Sequence, residues 1–181
     1  MNVSPVKTVI YFVTALLITV VLVRTFLVDS FTVKGNSMAP TIVDGDYVFV
    51  DKLAYAFKEE PKREDIVVFN FRDIPQVKVI KRIKALPQEW VVIVENRISV
   101  RADREDKGVF VGKLYDDSMQ VPGATSSSMR YRLDPHEYFV IGDNGLGSVD
   151  SRELGPVDIY MIDGKVFATF RPSKMKFTLF K

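Results

Sequence analysis

The chain of 181 residues contains no cysteine and a single histidine. The first absence excludes disulfides, thiol nucleophiles and cysteine-based zinc sites. The second removes His-rich metal sites. No Asp/Glu cluster stands at metal-ligand spacing either, so neither a metal nor a cofactor is expected. An excess of one charge is also missing. A net charge of +2 with 27% charged residues offers no basic stripe, which argues against a nucleic-acid partner. The lone His136 falls in the polar turn Asp134-Pro135-His136-Glu137, where an exposed ring is expected and nothing nearby would complete a Ser-His-Asp triad. A hydrolase built on this chain has few nucleophile–base pairs left, and serine with an unprotonated lysine leads them.

What is present begins with a long apolar run. Between residues 8 and 28 the only charged side chain is Arg24. A helix of that length spans about 31 Å, close to the hydrocarbon thickness of a bilayer. Arg24 lies near one end, where its side chain can reach the headgroups. A cleaved signal peptide is the alternative, with Val28 and Ser30 as a −3/−1 pair. The run is long for that, and Arg24 and Asp29 stand where such a peptide is usually uncharged. Lys7 and the N-terminal amine favour a cytoplasmic N-terminus, partly offset by Arg24. The reading is a cytoplasmic tip and transmembrane anchor over residues 1–29. An extracytoplasmic domain over 30–181 then leaves about 150 residues, enough for one core.

Beyond Ser30 the pattern is β throughout. Short β-rich runs occupy 47–50, 66–71, 77–83, 90–94, 97–100, 138–141 and 166–170, separated by turn signals such as Asp44-Gly45-Asp46 and Asp163-Gly164. A mostly β fold is expected, a folded antiparallel sheet or barrel-like domain with one N-terminal transmembrane helix. Residues 101–130, charged and then Ser-rich, read as a variable excursion.

Three segments carry chemistry. Ser37 lies between Gly35 and Pro40, so its backbone is tightly turned and can present a hydroxyl beside free N–H groups. It can equally satisfy only turn backbone groups. In the run 77–83, alternation puts Val77, Val79, Lys81 and Ile83 on one face and Lys78, Ile80 and Arg82 on the other. A lysine in an apolar row is desolvated, which lowers its pKa and makes it a usable base. The alternative is a twist or bulge that lets Lys81 reach water. The third segment is Gly142-Asp143-Asn144-Gly145-Leu146-Gly147-Ser148-Val149-Asp150-Ser151-Arg152, a glycine-rich loop dense in hydroxyl, carboxylate and guanidinium groups. A buried lysine needs such a shell to orient it; an ordinary Asx-rich turn with a surface Asp–Arg pair is the plainer reading.

Together these segments resemble bacterial type I signal peptidases, the membrane-bound Ser/Lys proteases that remove signal peptides. The likeness is ordered along the chain. The stretch from Arg24 to Phe31 looks like the family's membrane exit, 35–41 like its nucleophile box, and Lys81-Arg82 with Leu86-Pro87 like its general-base box. Residues 142–152 look like its final box. The resemblance implies Ser37 as nucleophile, Lys81 as general base and Ser148 as the group that orients the Lys81 amine. It also implies Asp150 and Arg152 as a supporting pair, and Asp143 and Asn144 as loop-shaping residues. Val33, Met38 and Ile80 would line pockets for small substrate residues at −1 and −3. The partners implied are signal-peptide-bearing preproteins and membrane lipid, at the cytoplasmic membrane of a bacterium.

The chain departs from the family's pattern at Gly145, where Arg is common, and at Gln88-Glu89, where Gly-Asp is expected. Two rival readings stay open. One is a self-cleaving Ser/Lys regulator, against which the anchor and the lack of a DNA-binding domain argue. The other is a weak or inactive accessory relative that binds exported peptides.

Overall fold

The protein is described here from a computed structural model over residues 5–57, 59–71, 74–94, 97–101, 109–113, 129–145 and 147–180. Of the excursion expected at 101–130, residues 102–108 and 114–128 lie outside the described residues.

The apolar run forms one helix, α1 (Pro5–Phe26), none of whose residues is buried. Twelve strands are described after it: β1 (Val28–Thr32), β2 (Tyr47–Asp51), β3 (Ile66–Phe71), β4 (Ile74–Ala85), β5 (Trp90–Val94), β6 (Arg97–Arg101), β7 (Val109–Lys113), β8 (Met129–Arg132), β9 (Glu137–Ile141), β10 (Val157–Asp158), β11 (Ile162–Arg171) and β12 (Lys176–Leu179). A four-residue helix, α2 (Ser151–Leu154), follows the glycine-rich loop. The paired strands run antiparallel. The larger sheet has the order β1-β2-β11-β3-β4-β9-β10 with β12 on β11, and a four-stranded sheet has the order β7-β6-β5-β8. The fold is thus the mostly antiparallel β architecture expected. Val28 and Ser30, the pair considered as a cleavage signal, lie inside β1 and pair with Asp51 and Phe49. The boundary expected at 29/30 falls within the same strand.

The larger sheet carries apolar cores on both faces, which explains why β3 reads Ile-Val-Val-Phe without polar alternation. Ile66, Val68 and Ile80 pack with Val33, Met38 and Ile42 on one side. Val67, Phe69 and Ile83 pack with Tyr138 and Val140 on the other. Phe31 and Phe180 lean on the first of these clusters. Phe177 stays more than half exposed, tilted against Phe49.

The turn from β4 into the smaller sheet holds one of the departures. Gln88 has φ +66°, the left-handed region that favours glycine. Its neighbour Glu89 does the work of a turn carboxylate: one oxygen accepts from Leu86 N–H at 2.7 Å and the other from Arg63. Gln88→Gly should therefore relieve strain and stabilise the fold by about 0.5–1 kcal/mol, net of glycine's larger unfolded-state entropy. The check is urea unfolding of parent and variant: the midpoint rises while the slope is unchanged.

Candidate active site

Ser37 sits in a loop pinned at several points. Met38 and Ile42 bury their side chains in the core beneath it. Gly35, at φ +92°, donates its N–H to Asp44 Oδ1 at 2.7 Å, and Asp44 N–H donates to Asn36 Oδ1 at 3.1 Å. Where the loop returns, Arg171 forks onto the buried Asp46 and also donates to Thr41 O. The glycine-rich loop clips the other side: Asn144 N–H donates to Ser37 O at 3.0 Å and Asn144 Nδ2 to Asn36 O at 3.1 Å.

Lys81 comes from the middle of β4, opposite Val67 of β3, and is only 3% exposed. It is not a solvated surface lysine. Its Nζ donates to Ser37 Oγ at 2.8 Å. Among the described residues the Ser37 hydroxyl caps no backbone group, and the Ser37 N–H has no hydrogen-bond acceptor. Burial draws the Lys81 ammonium down from its ordinary 10.5 to about 8. The Asp150 carboxylate opposes that fall and the Arg152 guanidinium assists it.

Asp150 is fully buried, so its pair with Arg152 is not a surface pair. Arg152 forks onto both carboxylate oxygens; Gly142 N–H at 2.9 Å and the Ser148 hydroxyl at 2.7 Å also donate to Oδ2. Burial alone would raise the Asp150 pKa, but these donors and the Arg152 charge hold it below the usual carboxylate range. No hydrogen bond joins Ser148 to Lys81 among the described residues. The Ser148 proton points to Asp150, which leaves the oxygen's lone pairs as acceptors. Arg82, on the opposite face of β4 from Lys81, grips Asp143 with two bonds of 2.8 and 2.7 Å. Burial works to raise the Asp143 pKa, and Arg82 with the Thr41 hydroxyl outweighs it, keeping the group ionised.

A cleft of about 870 Å³ opens beside this cluster. Its walls include Phe31–Lys34 of the chain leaving β1 and Val77–Lys81 of β4, with Val149 and Leu154 across from them. Val33, Met38 and Ile80 all line it. The stretch of β4 before Arg82 pairs with β3 only, because β9 begins its pairing at Arg82, so one edge of β4 is open to the cleft.

Three contributors escaped the sequence reading. Gly142 has no room for a side chain, since a Cβ there would lie 2.2 Å from Ser148 Oγ and 2.4 Å from Ser37 O. Arg82 and Arg171 tie the two loops down from outside. Adjacency to Lys81 was the available signal for Arg82; nothing local to Arg171 announced a partner 125 residues away.

The model of the signal peptidase, peptidase S26 family matches residues 6–171, a span that contains every residue of this cluster. The chain belongs to that family. It is similar to signal peptidase I of Pseudomonas aeruginosa, at 30% identity over 83% of this chain and 67% of that protein. It is also similar to signal peptidase I of Bacillus caldolyticus, at 32% identity over 83% of this chain and 84% of that protein. A crystal structure of a signal peptidase I from Enterococcus faecalis V583 aligns with 60% of this chain and 97% of its own, at 25% identity and a TM-score of 0.47. Family membership makes the chain a hydrolase, a serine endopeptidase of the signal peptidase I type.

Proposed function

We propose that this protein removes signal peptides from exported preproteins with a Ser37–Lys81 dyad, cleaving after small residues at −3 and −1. The observation that carries the reading is a buried lysine amine, 2.8 Å from a turn serine, whose pKa has fallen to about 8. Neutral Lys81 takes the Ser37 proton, and Oγ attacks the scissile carbonyl to form a C–O bond. The free Ser37 N–H supports the oxyanion. The C–N bond then breaks, Lys81 returns the proton to the departing amine, and an acyl-enzyme is left. Water, deprotonated by the same lysine, releases the acid and restores Ser37. Ser148, its proton held by Asp150 with Arg152 behind, keeps its lone pairs open and would accept an N–H of the amine once substrate occupies the site, a bond the resting arrangement does not contain. Asp143 and Asn144 hold the loop that carries the Ser37 carbonyl.

The open edge of β4 and the segment around Val33 suit an extended peptide, with Val33, Met38 and Ile80 bounding the pockets for its small side chains. The chain up to the end of α1 at Phe26 is the tip and anchor, and the chain from β1 onward the peptidase domain, on the outer side of a bacterial cytoplasmic membrane. Helix α1 is 22 residues long with none buried, as a bilayer-spanning segment requires.

The test is cleavage of a preprotein with alanines at −3 and −1 by the full chain in detergent, followed across pH. Only unprotonated Lys81 accepts a proton, so kcat/KM should rise tenfold per unit below about pH 8 and level off above it. Ser37→Ala should show no cleavage at any pH. A flat profile between pH 6 and 9 argues against Lys81 as the base, and cleavage by Ser37→Ala removes the serine from the mechanism.

A further inference from the structure

The four-stranded sheet presents a second chemistry, away from the cleft. Its inner face, Val91, Ile93, Ile98 and Val100, packs on Ala85 and Phe139 of the larger sheet. On the outer face the register sets Arg132, Trp90 and Arg101 in one row, then Arg130, Val92 and Ser99, then Val94 beside Arg97. Two guanidinium groups, of Arg132 and Arg101, thus flank the Trp90 indole; Arg130 lies one row along and Arg97 two. None of the four has a carboxylate or any other hydrogen-bond partner among the described residues, and Arg101 Nε is buried without an acceptor. A cavity of about 210 Å³ opens between Trp90, Val92, Arg101 and Arg130.

Two kinds of anionic surface are at hand for a membrane-anchored enzyme, and topology separates them. Lys78, near the start of β4, is ion-paired with Asp29, three residues beyond the end of α1. From Lys78 the strand runs to Ala85, roughly 20 Å further on, and the smaller sheet hangs from that far end. The basic face is thus carried away from the helix that enters the bilayer. Under the proposed function, the mature part of a substrate leaves the cleft toward that end of β4. A substrate segment leaving Ser37 in extended form covers the roughly 13 Å from Lys81 to Ala85 in about four residues. Lys and Arg close behind an apolar segment oppose its translocation, so the early mature part of a substrate is depleted of cations relative to neutral and acidic residues.

We propose that Trp90, Arg101, Arg130 and Arg132 form a docking face for acidic side chains in the early mature part of a preprotein, about five to ten residues past the scissile bond. The inference rests on the signal-peptide-removing function proposed above. Carboxylates seat against the forked guanidinium groups, and Trp90 supplies a flat apolar floor for the peptide between them.

The test uses the full chain in detergent and three preproteins alike except at positions +5 to +10, which carry Glu, Gln or Lys. In the parent, KM should be about fivefold lower for the Glu substrate than for the Gln substrate, with kcat equal and the Lys substrate poorest. Added salt at 0.5 M should shrink the difference. Arg130→Glu with Arg132→Glu, both exposed positions, should abolish the preference or invert it while the Gln substrate is cleaved as before. An equal Glu-to-Gln ratio in parent and variant overturns the docking face but leaves the proposed peptidase function standing. If the variant instead loses flotation with anionic phospholipid vesicles and keeps the Glu preference, the face belongs to the membrane and the inference is wrong. Failure of the parent to cleave the Gln substrate would count against the proposed function itself.

Discussion

Lys81→Met should yield a protein that cleaves nothing measurable and melts at a higher temperature than its parent. The activity loss is expected to be about 10⁴-fold or more, because removing the base also removes the group that protonates the leaving amine. The stability gain has a separate origin. Lys81 is 3% exposed, and its amine's pKa stands at about 8 in the folded chain against 10.5 ordinarily. Holding the ammonium form folded at pH 6–7 therefore costs about 3 kcal/mol, at roughly 1.4 kcal/mol per unit. Methionine fills similar space without that charge. Between pH 8 and 10.5 the unfolded chain binds the proton and the folded chain does not, so parental stability rises across that window. The thermal advantage of the variant should be full below pH 8 and fade as pH approaches 10.5. Calorimetry at pH 6.5, 8 and 10 reads this directly. Equal melting of the two at pH 6.5 would show that the lysine is solvated. Cleavage persisting in Lys81→Met would assign the base elsewhere.

Gly142→Ala should come next in size. The added methyl group would sit 2.6 Å from Ser148 Cβ and 2.4 Å from the Ser37 carbonyl oxygen. Neither is the free end of a flexible side chain, so a loop must move. Either displacement separates groups that have to meet within hydrogen-bond range, and a shift near 1 Å costs about 10²-fold in rate. The same overpacking should destabilise by about 1–3 kcal/mol. Single-turnover cleavage together with a melting curve checks both. A variant with parental kcat would mean that Ser148 and the Ser37 loop can separate without harm, contrary to their proposed roles.

Legibility differed along the chain for physical reasons. The seven β-rich runs read in advance all fall in strands, because β-branched and aromatic residues cluster there between turn formers. Strands β1, β7, β8, β10 and β12 fall outside those runs; the last, Lys176-Phe177-Thr178-Leu179, is short, half apolar and held to β11 at one edge only. The lysine could be recognised since a cation in an apolar row is anomalous under strict alternation. What alternation could not convey is that Ile80, assigned to the other face, is also buried. Both sides of β4 are covered at that point. The long-range clamps were the least readable. The Arg82–Asp143 and Arg171–Asp46 pairs join residues 61 and 125 positions apart, and no local pattern distinguishes a paired arginine from a solvated one. Gly142 belongs to the same group, since its requirement is the absence of space and not a backbone angle.

The joint between helix and domain has a mechanical consequence. Helix α1 ends at Phe26 and β1 begins at Val28. Lys52 locks the corner, its amide donating to Leu27 O at 3.0 Å and its Nζ to Thr25 O at 2.7 Å. Only Leu27 lies between helix and strand, so with α1 in a bilayer, as proposed above, the domain would follow the tilt of the helix. With α1 embedded, thicker or thinner lipid would raise or lower the serine relative to the water boundary. Under the proposed function, the bilayer would then act as a ruler, setting which bond of a tethered substrate comes level with the nucleophile.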